Sequence, residues 1–156
     1  MATKTKVNFM EFMLLAREPL APKRKAQMKF KWGEEITPKQ KETMHNFGIG
    51  YSAMLYRGQA TMVIDAAIRR REKNLATAAQ MRTMYIMGVE DVHKRTFKEA
   101  AYIINGGAPD EYPGLTFTFL LDEKEKKVVK TRKKATEMLR QFRMEGHRIQ
   151  VLMKED

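Results

Sequence analysis

"LTFTFLLDEKEKKVVKTRKK" (Leu115–Lys134) decides how the second half of this chain is read. Leu115, Phe117 and Phe119 alternate with Thr116 and Thr118, the period of a strand with one buried face. The run Asp122–Lys134 then carries seven Lys or Arg against three acids, with Val128 and Val129 between them. Such a run is a disordered charge tract, the tip of a basic hairpin, or part of an active site. "KVVKTR" (Lys127–Arg132) is a second strand candidate, which places "DEKEK" at a hairpin tip. "KKATEMLRQFRMEG" returns to a helical pattern that stops at Gly146, and "HRIQVLM" ends as a strand. The order over 115–153 is β–β–α–β. Two arrangements fit it: a winged-helix-like hairpin, or a small sheet with a helix packed on it. In both, Lys127, Lys130, Arg132, Lys133 and Lys134 form an exposed basic strip. The plainer account of that strip is an edge strand guarded by lysines.

Upstream of this element the pattern is helical. "VNFMEFMLLARE" (Val7–Glu18) is predicted as a short helix ended by Pro19. Thr37 followed by Pro38 opens another, since Pro at the first helical position loses no hydrogen bond. Met44, Phe47, Tyr51, Met54, Leu55 and Met62 make one stripe on a long helix, interrupted by Gly48, Gly50 and Gly58. The helix continues to the basic cluster Arg69–Arg71 and Lys73, which its C-terminal dipole favours. Two further helices are expected, one capped by Asn74 and closed by Gly88, the other closed by Gly106 and Gly107. No internal repeat is evident. The expected fold class is α+β, mostly helical, with a C-terminal β-hairpin, helix and strand. Residues 1–36 read as a helix plus basic arm, and 37–156 as one globular domain, helical over 37–107.

The chain has 156 residues, no cysteine and a net charge of +11. Disulfides, thiol catalysis and cysteine-based zinc sites are excluded. No run of eighteen apolar residues occurs, so no membrane partner is expected. The apolar part of the N-terminus contains Glu11 and is too short for a secretory leader, which points to the cytoplasm or the inside of a virus particle. Residues 1–32 hold 8 basic and 2 acidic side chains, and residues 115–156 hold 11 and 7. The positive excess therefore sits at the two ends of the chain, and a polyanion is the expected partner.

The first end is an arm. "PLAPKRKAQMKFKW" has two prolines and weak periodicity, and Lys23, Arg24, Lys25, Lys29 and Lys31 cluster in it. Phe30 and Trp32 interleave with the last two cations, a pattern suited to base stacking with phosphate contact. Docking of the two aromatics onto the core explains the same residues.

The remaining motifs are weaker. Asn74–Asn105 invites a helix-turn-helix reading with His93, Lys94, Arg95 and Lys98 on the outer face of the second helix. Against it stand the bulky Met84 at the crossing and the slight negative charge of residues 74–114. Asp110, Asp122 and Lys124 resemble the PD-(D/E)xK nuclease pattern over about the last third of the chain. That resemblance implies two carboxylates on a divalent metal and a lysine positioning the attacking water. A two-residue carboxylate–lysine spacing is common in a chain this rich in Asp, Glu and Lys. His45, His93 and His147 show no metal-ligand spacing, and no phosphate-loop, dinucleotide or GxSxG motif is present. Asp65, in an apolar run, is expected to have a structural role, with Arg69 one turn on as its available partner. Met81, Met84 and Met87 lie on neighbouring turns, either as flexible core filling or as a surface for self-association or an acidic protein partner. The function expected is a non-enzymatic nucleic-acid-binding protein, for DNA or RNA, without metal or cofactor. It would grip phosphates through the arm (Lys23, Arg24, Lys25, Lys29, Lys31, Trp32) and the hairpin strip. The alternatives are a structural or assembly component of a viral or phage particle, and the metal-dependent nuclease.

Overall fold

The computed structural model describes residues 6–19, 34–52 and 55–156. It is α+β, as the change of period at Leu115 implies, and it divides into two compact units, 1–100 and 101–156. The N-terminal helix falls in the first of these units with the helices that follow.

The first unit is helical. Strand β1 (Val7–Asn8) leads directly into α1 (Phe9–Leu15), and the Asn8 side chain accepts from the Met10 N–H in its first turn. β1 pairs in parallel with β2 (Ile49–Gly50), which joins residues far apart in sequence. Helices α2 (Pro38–Asn46), α3 (Arg57–Glu72) and α4 (Ala78–Ile86) follow, then a 3-10 turn (Val92–Lys94) and the start of α5 (Phe97–Ile104), whose last four residues belong to the second unit. The single long helix expected from Thr37 onward does not form. Gly48 sits at φ +70, a left-handed conformation that ends α2, and the chain passes through β2 before α3 begins. The helix expected from Asn74 starts instead at Thr77, because Asn74 has φ +54. Phe12, Met44, Ile49, Leu55, Val63, Met81 and Met84 are fully or almost fully buried. Met81 and Met84 are thus core; of the methionine triplet only Met87 is exposed.

The helical segment 34–104 contains a repeat that the bare sequence hides. Residues 34–64 and 74–104 are two copies of one motif, forty positions apart. Each first helix opens with a reciprocal capping box, Thr37 with Gln40 and Thr77 with Gln80. Each glutamine then reaches the start of the second helix. Gln40 Nε2 donates to the Arg57 carbonyl at 3.1 Å, and Gln80 Nε2 to the Phe97 carbonyl at 3.3 Å. The Arg57 N–H donates to the Glu34 carbonyl, and the Phe97 N–H to that of Asn74. Isolated bridges join Glu35 to Tyr56 and Leu75 to Thr96. Gly48 and Gly88 both turn at positive φ. Met44 and Met84, Ala60 and Ala100, and Val63 and Ile103 are all fully buried. Identity survives at Thr37/77, Gln40/80, Thr43/83, Met44/84, Gly48/88, Ala60/100 and Ile64/104. Most of these cap a helix, turn the chain or fill a buried position; elsewhere the two copies have diverged.

The second unit is a three-stranded antiparallel sheet with one helix. β3 (Leu115–Leu121) is central, flanked by β4 (Lys124–Val129) and β5 (Ile149–Glu155). Leu115, Phe117, Phe119 and Leu121 are buried, and the residues between them are half-exposed. Helix α6 (Arg132–Met144) supplies Ala135 and Phe142 to this core, and Phe142 meets Phe119 edge-on at 5.6 Å. The hairpin tip is Asp122–Glu123 alone, both at positive φ (52° and 67°), the conformation of a type I′ turn. The tip is therefore shorter than "DEKEK", and Lys124 already belongs to β4. The hairpin is no free wing, because β5 pairs with the whole length of β3. Of the two arrangements open to the sequence, the small sheet with a packed helix is the one adopted.

Candidate nucleic-acid interface

The basic strip expected at the hairpin is divided by the fold. Val129 faces α6 and Val128 the opposite side, so the strand alternation separates their neighbours too. Lys130 lies on the open face of the sheet. Its Nζ donates to Thr116 Oγ1 at 2.8 Å and to Asp156 Oδ2 at 3.0 Å, and Thr116 bonds Asp156 Oδ1 at 2.7 Å. The bonds from Thr116 and Lys130 hold the Asp156 carboxyl below the usual carboxylate range. Lys130 is thus already engaged by a carboxylate. Lys127 is exposed on the β4 edge.

Arg132, Lys133 and Lys134 form a different group, the first turn of α6. Thr131 caps the helix, accepting from the Lys134 N–H at 3.3 Å. Arg132 lies over the Phe117 ring, 5.8 Å from its centroid, with Nη2 3.6 Å from Met153 Sδ. Lys133 Nζ is 3.9 Å from Glu111, an approach of two exposed side chains that contributes little. No acidic residue stands in this turn. Cations there oppose the helix dipole, so the placement works against folding. Further along α6, Arg140 and Arg143 are exposed while Ala135, Met138, Leu139 and Phe142 face the sheet. The outer face of the helix therefore carries Lys133, Lys134, Arg140 and Arg143 against Glu137. The helical period of "KKATEMLRQFRM" already contains this face. Arg140 and Arg143 escape notice in the sequence because attention falls on the denser charge run before them.

The other candidate residues resolve differently. Lys23, Arg24, Lys25, Lys29, Phe30, Lys31 and Trp32 lie outside the described residues. The helix-turn-helix reading puts His93, Lys94, Arg95 and Lys98 on one exposed face. Arg95 is instead buried and bonded to Glu99 at 3.1 Å, with two further bonds to the Glu90 carbonyl. The His93 carbonyl accepts from the buried Arg70, whose Nε and Nη2 hold the Ala76 carbonyl at 3.2 and 3.0 Å. Arg69 pairs with Glu18 in place of the expected Asp65, and Arg71 lies 5.0 Å above the Phe47 ring. Arg69, Arg70 and Arg71 of the α3 basic cluster are thus occupied by structural interactions.

Asp122, the carboxylate of the nuclease-like pattern, closes the hairpin. Its Oδ2 is 3.0 Å from His147 Nδ1, and its Oδ1 accepts from the Arg148 N–H at 3.2 Å. These two bonds lower its pKa; the same His147 bond raises that of His147, aided by Glu145 at 3.3 Å. Among the described residues no three His, Asp or Glu side chains are grouped to share a metal ion. No helix among the described residues is long and apolar enough to cross a membrane. No protein family, curated protein or solved structure matches the chain.

Proposed function

We propose that this protein binds nucleic acid through phosphate contacts and carries out no chemistry on it. The observation that supports this reading is the first turn of α6. Three consecutive cations stand at a helix N-terminus, where the dipole disfavours them and where the turn itself contains no acid. A phosphate beside that turn would meet the cations and the positive end of the helix together. Arg140 and Arg143 extend the positive face along the helix toward a second phosphate. The five cations between Lys23 and Lys31 add a separate grip, which accounts for the excess charge at both ends of the chain. The function then depends on a helix outer face more than on a hairpin strip.

The test is fluorescence anisotropy with single- and double-stranded oligonucleotides across a salt series. Lys133→Glu, Lys134→Glu and Arg140→Glu together should weaken binding sharply. The log–log salt slope on duplex should flatten by about 0.9 for each phosphate that the variant no longer neutralises. Lys134→Glu should meanwhile stabilise the fold, by roughly 0.3–1 kcal/mol, because an acid suits this turn. A folded triple variant with wild-type affinity and slope would remove α6 from the interface.

A further inference from the structure

The two edges of the C-terminal sheet differ. β4 is protected: exposed Lys124 and Lys127 lie on it, and its pairing with β3 breaks register between Phe119 and Leu120. β5 has no break of register, and its one lysine, Lys154, stands near its end. It pairs with β3 in unbroken register over seven residues, and Val151, Leu152 and Met153 at its middle are 39, 48 and 43 % exposed. A regular apolar edge of this kind is a template for another strand.

The ladder shows which backbone groups remain to be paired. The Asp122 N–H donates to the Arg148 carbonyl, and the Asp156 N–H to that of Gly114. The even-numbered residues of β5 therefore turn their N–H and C=O toward β3. Those of Ile149, Val151, Met153 and Glu155 point outward.

We infer that β5 pairs antiparallel with β5 of a second copy of this chain, about a two-fold axis at Leu152. Only a register centred on a residue lets outward groups face outward groups. Centring on Leu152 uses the full strand. It sets Val151 against Met153, Ile149 against Glu155, and Leu152 against itself as a non-hydrogen-bonded pair. It also sets Arg148 against Asp156, opposite charges on the same face. A register centred on Val151 would oppose Arg148 to Lys154, and one centred on Met153 would leave Ile149 unpaired. The partner is chosen by this self-complementarity of charge and apolar character. The product is a six-stranded sheet with both α6 helices on one side, which doubles the basic face. A single strand pairing makes a small interface, so the dimer is concentration-dependent.

The chain has no cysteine, which makes the register directly readable. In the full-length protein, Leu152→Cys places two thiols on Cα atoms about 4.5 Å apart, within the span of a disulfide. Mild oxidation should give a covalent dimer. Gln150→Cys alone should not cross-link, and mixed with Lys154→Cys it should give the heterodimer. Met153→Pro removes an outward N–H and the exposed thioether contact to Arg132 but no bond of the β3 ladder, so sedimentation should show a monomer with unchanged circular dichroism. Should that variant fail to fold, the cysteine series still decides the register. A wild-type chain that stays monomeric at every concentration, or Gln150→Cys cross-linking as readily as Leu152→Cys, would overturn the inference.

Discussion

The internal repeat allows one ion pair to be tested against its own apolar counterpart. Arg95 and Glu99 stand where the first copy has Leu55 and Gln59. Their side chains are 6 % and 0 % exposed and bond at 3.1 Å. Glu99 Oε1 also accepts from the Thr96 N–H, the role that Gln59 performs for the Tyr56 N–H at 3.1 Å. Arg95→Leu alone takes the cation from a fully buried carboxylate, which costs roughly 3–5 kcal/mol. With a urea dependence of about 2 kcal/mol/M, the unfolding midpoint should fall by about 1.5–2.5 M. Adding Glu99→Gln removes the stranded charge and keeps the cap acceptor. The second copy then has the chemistry of the first, and the double variant should return to within about 1.5 kcal/mol of wild type. Urea titrations followed by circular dichroism on the wild type, both singles and the double give the coupling energy. A double variant at least as unstable as Arg95→Leu would refute the reasoning. The two copies would then differ in more than these two side chains.

Two other predictions concern the hairpin end of the sheet. The raised pKa of His147 contributes stability that is full below its ordinary value of 6.5 and is lost as pH rises through the folded value. The lowered pKa of Asp122 contributes stability present above 3.8 and lost as pH falls through the folded value. The thermal midpoint should therefore be highest between those two values, and His147→Gln should flatten its fall on the alkaline side; an unchanged pH profile would count against a stabilising bond between Asp122 and His147. Glu123→Gly relieves a side chain held at φ +67, and should stabilise the protein by about 1 kcal/mol in the same urea titration. A drop in stability there would mean that Glu123 makes an interaction outweighing its strain.

Local chemistry in the sequence determined the C-terminal elements. Alternation from Leu115 to Leu121 makes a half-buried strand wherever a core exists, and the period of "KKATEMLRQFRM" makes a helix with one apolar side. Thr37 with Pro38 marks a helix start because capping is satisfied by residues three apart, and Gly88 and Gly146 end helices through their own backbone freedom. These are interactions within a few residues, so sequence spacing carries them. The partners of those elements required the tertiary structure. β1 with β2, β5 with β3, and Lys130 with Asp156 join residues far apart in the chain, and no local pattern encodes such a distance. The break at Gly48 was ambiguous for the same reason: a glycine in an apolar stripe permits a crossing or a turn, and only the pairing of Val7 with Ile49 selects the turn. The repeat stayed hidden because packing constrains few positions. Caps, turning glycines and buried side chains persist forty residues apart, while exposed positions are free to change. Charge was legible as an excess at both ends, but its assignment to a helix face depended on which side of α6 the sheet covers.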